Sequence, residues 1–376
     1  MKLFIIAGET SGDKHGALLM QELLRQDPSM EIMGLGGPLM QAVSPEIEDW
    51  VEEAAVIGVV EVLKKYGWFR QKFLDVLDRI KREQPDGVIL VDYPGFNLRM
   101  AERLRRDGVD VRIGYFISPQ VWAWHKGRIP KMAKILDIMM CIFPFEKPLF
   151  EGAGLWTEFV GHPLVDDILA ERQTDVREPK LVGLFPGSRV REIERHFPVF
   201  IQVVDLLRHR HPDWVFETAA SNTKLADLMR RMAHEFGLPA NVLHIRTENY
   251  HGLMDRANAA LVASGTATLE AALHELPYAL VYKVAWGTYL AAKLLVRIPH
   301  IGMVNILSGK EVVRELVQND FSVENCIAEL ERLMDEKQRE DVVRSMRAAT
   351  DLLGHGGAAA KAADAVMKML KGQQGE

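Results

Sequence analysis

Two stretches in the second half of the chain end an apolar run on small residues and then open a helix pattern. Pro186-Gly187-Ser188-Arg189 follows Leu181–Phe185, and Ser264-Gly265-Thr266 follows Ala259–Ala263. A strand-to-helix turn of this kind aims backbone N–H groups and the positive end of the helix dipole at one point, which favours an anion there. Gly187 lets backbone come close to a ligand, Ser188 can cap the helix, and Arg189 supplies a planar cation suited to phosphate oxygens. Glu270, early in the second helix, can accept from ribose hydroxyls or simply complement the dipole. Each turn alone reads equally as an ordinary loop with a surface charge. The pair points to a nucleotide diphosphate. No Walker-type glycine-lysine loop is present, which disfavours phosphoryl transfer from ATP.

Asp92 follows the apolar run Gly87–Val91. A carboxylate at the end of a central strand sits where open α/β sheets bind ligands, and it can act as general base toward a substrate hydroxyl. Equally, it can be a turn aspartate before Pro94. Ala7-Gly8-Glu9-Thr10-Ser11-Gly12-Asp13 is another strand-to-helix loop, but it lacks the dinucleotide fingerprint. Glu9 and Asp13 repel a pyrophosphate, so with Ser11 this loop is expected to meet a hydroxylated part of a ligand. Ser118, Trp122 and Trp124 lie on a loop after the next apolar run, where the two indoles either join the core or wall a ligand.

Metal chemistry is not expected. His209 and His211 sit in a basic run that reads as a solvated helix end, Cys141 and Cys326 lack CxxC spacing, and no Asp-x-Asp pair occurs. With neither metal nor other cofactor, a leaving diphosphate has to be held by the two helix ends and Arg189.

The elements that must position these residues alternate strand and helix. Strands are predicted at Lys2–Ala7, Glu31–Leu35, Gly87–Val91, Val111–Ile117, Ile138–Ile142 and Thr157–Val160, with helices over Gly16–Gln26, Trp68–Glu83 and Arg99–Asp107. A polar stretch at Ala170–Lys180 reads as a linker. The pattern then restarts at Leu181–Phe185, Trp214–Thr218, Val242–Ile245, Ala259–Ala263 and Tyr278–Tyr282, and ends in helices from Val323 to Gly372. The fold class expected is α/β: two Rossmann-like, doubly wound domains facing across a cleft. The domains are set at residues 1–170 and 171–345, with terminal helices at 346–376 that pack back on the first domain.

Bulk properties narrow the setting. The 376 residues suit about two domains, and a net charge of −6 argues against a nucleic-acid partner. The run Leu3–Ala7 is too short for a signal peptide, and no run approaches the roughly 18 apolar residues of a membrane span. Val59–Phe73 interleaves aromatics with lysine and arginine. Tyr66, Trp68 and Phe69 are candidates to face a membrane surface, while the spacing on to Ile80 suits a helix lying on a sheet.

The motifs together resemble the lipid-A-disaccharide synthase family. The likeness runs through Ala7–Asp13, Gly58–Leu63, Ser118–Trp124, Phe143–Glu146, Val160–Pro163, Pro186–Arg189 and Ala263–Glu270, in that order. It implies a GT-B fold and an inverting, metal-independent transfer from UDP-2,3-diacylglucosamine to 2,3-diacylglucosamine 1-phosphate, at the cytoplasmic face of an inner membrane. Asp92 matches the family base for the acceptor 6-hydroxyl, and Arg189 an arginine tied to the diphosphate. Asn305, Glu315 and Gln318 match residues beside the nucleotide. Gly95 stands where many members carry a second aspartate, and Val304 where proline is usual. Another UDP-sugar transferase, a 2-epimerase and a non-catalytic nucleotide-sugar binder remain as alternatives, and a homodimer is left open.

Overall fold

The computed structural model describes residues 1–54, 66–171, 176–247, 249–287, 289 and 299–373, without the side chains of Tyr66 and Trp124. The chain divides into two compact units. The first comprises Met1–Pro163 and Leu353–Glu376, and the second Leu164–Leu352.

The first unit is built on a parallel sheet of seven strands in the order β3-β2-β1-β4-β5-β6-β7. These are β1 (Lys2–Ala7), β2 (Glu31–Gly36), β3 (Ile47–Asp49), β4 (Gly87–Val91), β5 (Arg112–Phe116), β6 (Ile138–Cys141) and β7 (Thr157–Phe159). The apolar runs read from sequence form its buried centre, because a parallel sheet covered on both faces needs unbroken hydrophobic strands. All five residues of β4 are buried. The strand order reverses between β1 and β4, which pair in register Ala7↔Val91. Ligands bind at such a switch point in doubly wound sheets, and here it joins the Glu9 loop to Asp92.

The helix after β1 spans Thr10–Gln26, opening six residues before its predicted start. The helix Ala358–Leu370 packs on it, with the Gln26 amide donating to Asp364 at 2.7 Å. Leu370 fills the space above Gly87, where an added Cβ would lie 2.6 Å from its Cδ2.

The second unit carries a parallel sheet of six strands in the order β10-β9-β8-β11-β12-β13. They are β8 (Leu181–Phe185), β9 (Val215–Ala219), β10 (Leu243–Arg246), β11 (Ala259–Ala263), β12 (Tyr278–Tyr282) and β13 (Glu315–Val317). Its order reverses between β8 and β11, which pair in register Phe185↔Val262. Both glycine turns leave from those two strands. Within the linker, Arg177 is tied into this unit, its guanidinium donating to the carbonyls of Met254, Asp255, Ala257 and His274.

Two strands escape the sequence pattern, β3 and β13. Each has three residues and forms the outer edge of its sheet, too short for a period to register.

Candidate functional site

In the first unit, β4 ends on an uncommon backbone. Asp92 (φ 45°) and Tyr93 (φ 48°) are both left-handed, and so is Ile117 (φ 67°) on the neighbouring loop. For residues with a Cβ this costs about 1–2 kcal/mol each, so the surroundings must enforce it. The Asp92 carbonyl accepts from the Tyr115 hydroxyl at 2.6 Å and the Asn97 amide at 2.8 Å. The Tyr93 hydroxyl donates to the Ala54 carbonyl at 3.2 Å, and its ring lies where a Cβ on Gly8 would come within 2.4 Å. The Trp50 indole fixes the end of β1 by donating to the Ala7 carbonyl at 2.6 Å. Helix formation resumes at Pro94, in the first turn where proline is tolerated.

This frame leaves the Asp92 side chain half-buried on a cavity of about 290 Å³, whose wall includes Ile117, Ser118, Val121, Arg128 and Phe143. Burial, reinforced by the charge of Glu9, pushes the Asp92 carboxyl up to about 6, against a smaller opposing effect of the Tyr93 amide. A carboxylate so placed is a stronger base than a solvated one and is still ionised at neutral pH. Glu9, on the loop beside it, and Ser11, in the first turn of the helix that follows, are exposed. Glu9 thus stands as a second carboxylate near Asp92, although the sequence position expected for one holds Gly95.

Several candidates have other tasks. Asp13 is buried, and its carboxylate accepts from the amides of Gly37, Met40 and Leu39 at 2.8, 2.9 and 3.0 Å. It caps the helix Pro38–Val43, which corrects its expected place among ligand-facing groups. Ser118 and Trp122 are buried as well, and their Oγ and Nε1 donate to Glu146 at 2.5 and 2.9 Å. Glu146 also accepts from the Phe143 amide at 3.1 Å, and burial pushes its carboxyl up to about 7. Thus Trp122 is a buried core ring rather than a free one, and Glu146, unmarked as a site residue by sequence, ties it to Ser118 on the cavity wall. Trp124 closes the short helix Val121–Trp124, with its side chain outside the description.

Trp68 and Phe69 are half-buried against the core of the first unit. Trp68 stacks on Trp50 with centroids 6.2 Å apart and meets Phe69 edge-on at 4.9 Å. The helix Tyr66–Glu83 turns Arg70 and Gln71 outward, so the spacing that continues to Ile80 already governs at Trp68. Residues 55–65, with the Gly58–Leu63 segment, lie outside the described residues, as does the Tyr66 side chain.

In the second unit the two turns differ. At Pro186–Arg189, Gly187 has φ 118°, and Glu192 Oε2 accepts from the amides of Ser188 and Arg189 at 3.0 and 3.2 Å. The Arg189 guanidinium donates to Glu192 Oε1 at 3.0 Å and is largely exposed. The chain's own carboxylate therefore sits on the anion position of this turn, in capping-box fashion. Behind it, buried His196 joins two loops: its Nδ1 bonds the Pro186 carbonyl at 2.8 Å, and its Nε2 accepts from the Lys283 amide at 3.2 Å. A carbonyl only accepts, so Nδ1 carries the proton and the ring is neutral. Burial lowers its pKa in the same sense.

The turn Ser264–Thr266 is open. Gly265 (φ 150°) is exposed, a Cβ there would meet nothing within 4 Å, and the helix Thr266–Leu273 has no side-chain cap. Glu270 is half-buried near it; burial raises its pKa, and nearby His251 opposes the rise.

Asn305, Glu315 and Gln318 frame backbone instead of facing outward. The Asn305 side-chain Oδ1 accepts from the amides of Val312 and Val313, while its Nδ2 donates to Val313 O and Glu315 Oε1. Glu315 accepts from the amides of Ile301 and Gly302, and the Gln318 amide pairs with both backbone groups of Val284. The side chains of these three residues are thus committed to backbone and to one another. Val304 falls in the first turn of the helix Met303–Ser308, where proline is equally at home, so that departure leaves the backbone at Asn305 helical.

Among the described residues, no group of three or more His, Cys, Asp or Glu side chains is arranged to hold a metal ion. No described helix is long and apolar enough to cross a membrane.

With this geometry in hand, comparisons with known proteins are specific. A family model described as lipid-A-disaccharide synthetase matches residues 3–368. The lipid-A-disaccharide synthase of Geobacter sulfurreducens is 40% identical, over 98% of this chain and 97% of its own length. That of Anaeromyxobacter dehalogenans strain 2CP-1 is 36% identical, over 98% of each. Among solved structures, a putative UDP-N-acetylglucosamine 2-epimerase from Listeria monocytogenes has a TM-score of 0.66 at 14% identity, covering 100% of this chain and 98% of its own. Acinetobacter baumannii MurG has a TM-score of 0.57 at 15% identity, covering 98% and 99%. At such identities these two structures speak for the fold alone, the GT-B arrangement of two Rossmann-like domains.

Proposed function

The chain belongs to the lipid-A-disaccharide synthase family, and from that premise we propose how its residues divide the reaction. The enzyme transfers 2,3-diacylglucosamine from UDP to the 6-hydroxyl of 2,3-diacylglucosamine 1-phosphate, releasing UDP and the β-1,6-linked disaccharide 1-phosphate. Membership at this identity decides against the 2-epimerase, non-lipid transferase and non-catalytic readings.

Asp92 is the general base. One observation carries this assignment: its carboxyl stands on a cavity at the switch point of the first sheet, raised to about 6 by burial and Glu9. It takes the proton of the acceptor hydroxyl as that oxygen attacks the anomeric carbon opposite the departing UDP, which inverts the configuration. The donor half belongs to the second unit. Arg189 and the amides of Ser264–Thr266 meet the diphosphate, and Glu270 accepts from the ribose. Charge that develops on the leaving group is stabilised by these fixed dipoles and the guanidinium.

Both substrates carry acyl chains, so we place the enzyme peripherally at the cytoplasmic face of the inner membrane. Asp92 and the donor loops lie in one chain, and a homodimer is not required by the chemistry.

The test is incubation with the two acylated substrates and separation of UDP and disaccharide. Asp92→Ala is expected to lose at least about 100-fold in rate while still binding UDP. Full activity in that variant would overturn the assignment of the base.

A further inference from the structure

Three segments of the Asp92 cavity wall meet on one carboxylate. Glu146 is fully buried; its Oε1 accepts from Ser118 Oγ and Trp122 Nε1, and its Oε2 from the Phe143 amide. The bond to Phe143 is local, whereas those to Ser118 and Trp122 span 28 and 24 residues of sequence. Ser118, Phe143, and Val121 beside Trp122 all line the cavity. The carboxylate thus ties the loop after β5 to the loop after β6. It also bears on strain. Ile117, β-branched and at φ 67°, is held between the Met140 carbonyl, which its amide reaches at 3.0 Å, and the tethered Ser118.

A carboxylate is a costly anchor here. The rings of Trp122, Phe143 and Phe145 pack on one another beside it. Burial raises its carboxyl to about 7, and the bonds from Ser118, Phe143 and Trp122 oppose this only in part. Ionising it at neutral pH therefore destabilises the fold, which an apolar side chain of similar volume would avoid. A charge kept on those terms points to a use at the site it borders. Its protonation has a definite place: Oε1 already serves two donors, so the proton goes to Oε2 and sets an O–H against the Phe143 amide. The tie to the loop after β6 then fails first.

We propose that Glu146 is a positioning residue for the acceptor: its carboxylate keeps Ser118, Val121 and Phe143 in the arrangement that seats the sugar beside Asp92, and a proton on it releases that wall. This rests on the reading of Asp92 as the base. Other titratable groups stand around Glu146. Lys147 pairs with Glu151 and Glu158 at 3.7 Å, while Lys131 and Lys134 on the packed helix Ile129–Ile135 are exposed, as are His125 and Arg128. His162 meets the Phe143 ring with centroids 5.2 Å apart, and Cys141 is a buried thiol that burial and Glu146 push well up. Asp92 is set by burial, Glu9 and the Tyr93 amide, and its value of about 6 stands apart from that of Glu146.

The test uses the full chain in neutral detergent micelles at saturating donor. It measures kcat and KM for 2,3-diacylglucosamine 1-phosphate from pH 6 to 8, on either side of the Glu146 value. The acceptor's phosphate titrates in the same range, so the step due to Glu146 is read as the difference between wild type and Glu146→Gln. By that measure the wild-type acceptor KM should fall about threefold or more as pH rises. Glu146→Gln sets an amide N–H against the Phe143 N–H, and its acceptor KM at pH 8 should be at least about fivefold above wild type. Trp122→Phe keeps a ring and removes one donor to the charged form, so its step should move to higher pH. Donor KM should stay unchanged in both, with UDP binding and Tm reporting folding. A wild-type acceptor KM in Glu146→Gln, the same step in both proteins, or a loss confined to kcat would overturn the proposal. So would a Trp122→Phe profile superimposed on wild type, which decides the matter if Glu146→Gln does not fold. Full activity in Asp92→Ala would instead sink the parent reading.

Discussion

Arg189 meets Glu192 twice: its backbone amide donates to Oε2 at 3.2 Å and its guanidinium to Oε1 at 3.0 Å. The first glycine turn is thus filled by an internal carboxylate at the place a phosphate oxygen would take. The second turn, at Gly265, is open. On the proposed donor role of Arg189, the diphosphate would have to compete with Glu192 for that side chain or share it at a cost in repulsion.

Glu192→Gln keeps a carbonyl to cap the helix and removes the charge. For charges some 7 Å apart at intermediate dielectric, this corresponds to about three- to tenfold tighter UDP binding. Titration calorimetry at low ionic strength measures it, and the gain should shrink as salt is added. Weaker UDP binding in this variant would mean that Glu192 orders the loop for the ligand instead of competing with it.

The pH dependence of the reaction follows from Asp92. On the proposed assignment the ionised form of Asp92 acts as the base, so kcat/KM should climb as pH rises through about 6 and level off above it. Glu9 helps to raise that value, so Glu9→Gln should move the ascending limb to lower pH. The same shift has a stability sign. A carboxyl held above its ordinary value of 3.8 favours the fold most at pH below 3.8, and that contribution is lost as pH climbs through about 6. Asp92→Asn should therefore raise Tm at pH 7.5 while abolishing most activity, an exchange typical of functional sites.

His196 makes the opposite linkage. It is neutral and buried, with its pKa below the ordinary 6.5, so the unfolded chain takes up a proton that the native chain refuses. Stability is full above about 6.5 and falls as pH drops below it. His196→Phe should flatten that acid slope in thermal melts. It should also release the Pro186 and Lys283 backbones together, raising KM for the donor more than it lowers kcat. An unchanged acid slope would show that His196 is protonated in the native state.

The fold was legible because its determinants are local. Unbroken apolar strands such as Gly87–Val91 and Ala259–Ala263 announce a covered parallel sheet, and their ends mark the loops that carry Asp92 and the glycine turns. Asp13 shows where this reasoning fails: its partners are amides more than 20 residues away, so nothing beside it in sequence separates a cap from a ligand-facing acid. Glu146 and His196 were passed over for the same reason, since each acts by joining segments that only the topology brings together. Glu192 was within reach, three residues past Arg189 at capping-box spacing. The strain at Asp92 and Tyr93 had no sequence signal, because neither residue type announces a left-handed backbone as glycine does.

The helix Ala358–Leu370 sets an order of events for the newborn chain. The second unit is one continuous stretch, Leu164–Leu352, and is complete once that stretch has left the ribosome. The first unit is begun earlier but waits for Leu370 to cover Gly87 at the foot of the strand that bears Asp92. Domains ordinarily mature from the N-terminus onward during synthesis. Here the unit translated first is expected to be completed last, and a chain cut before residue 358 would lack the segment that covers the foot of the strand leading to Asp92.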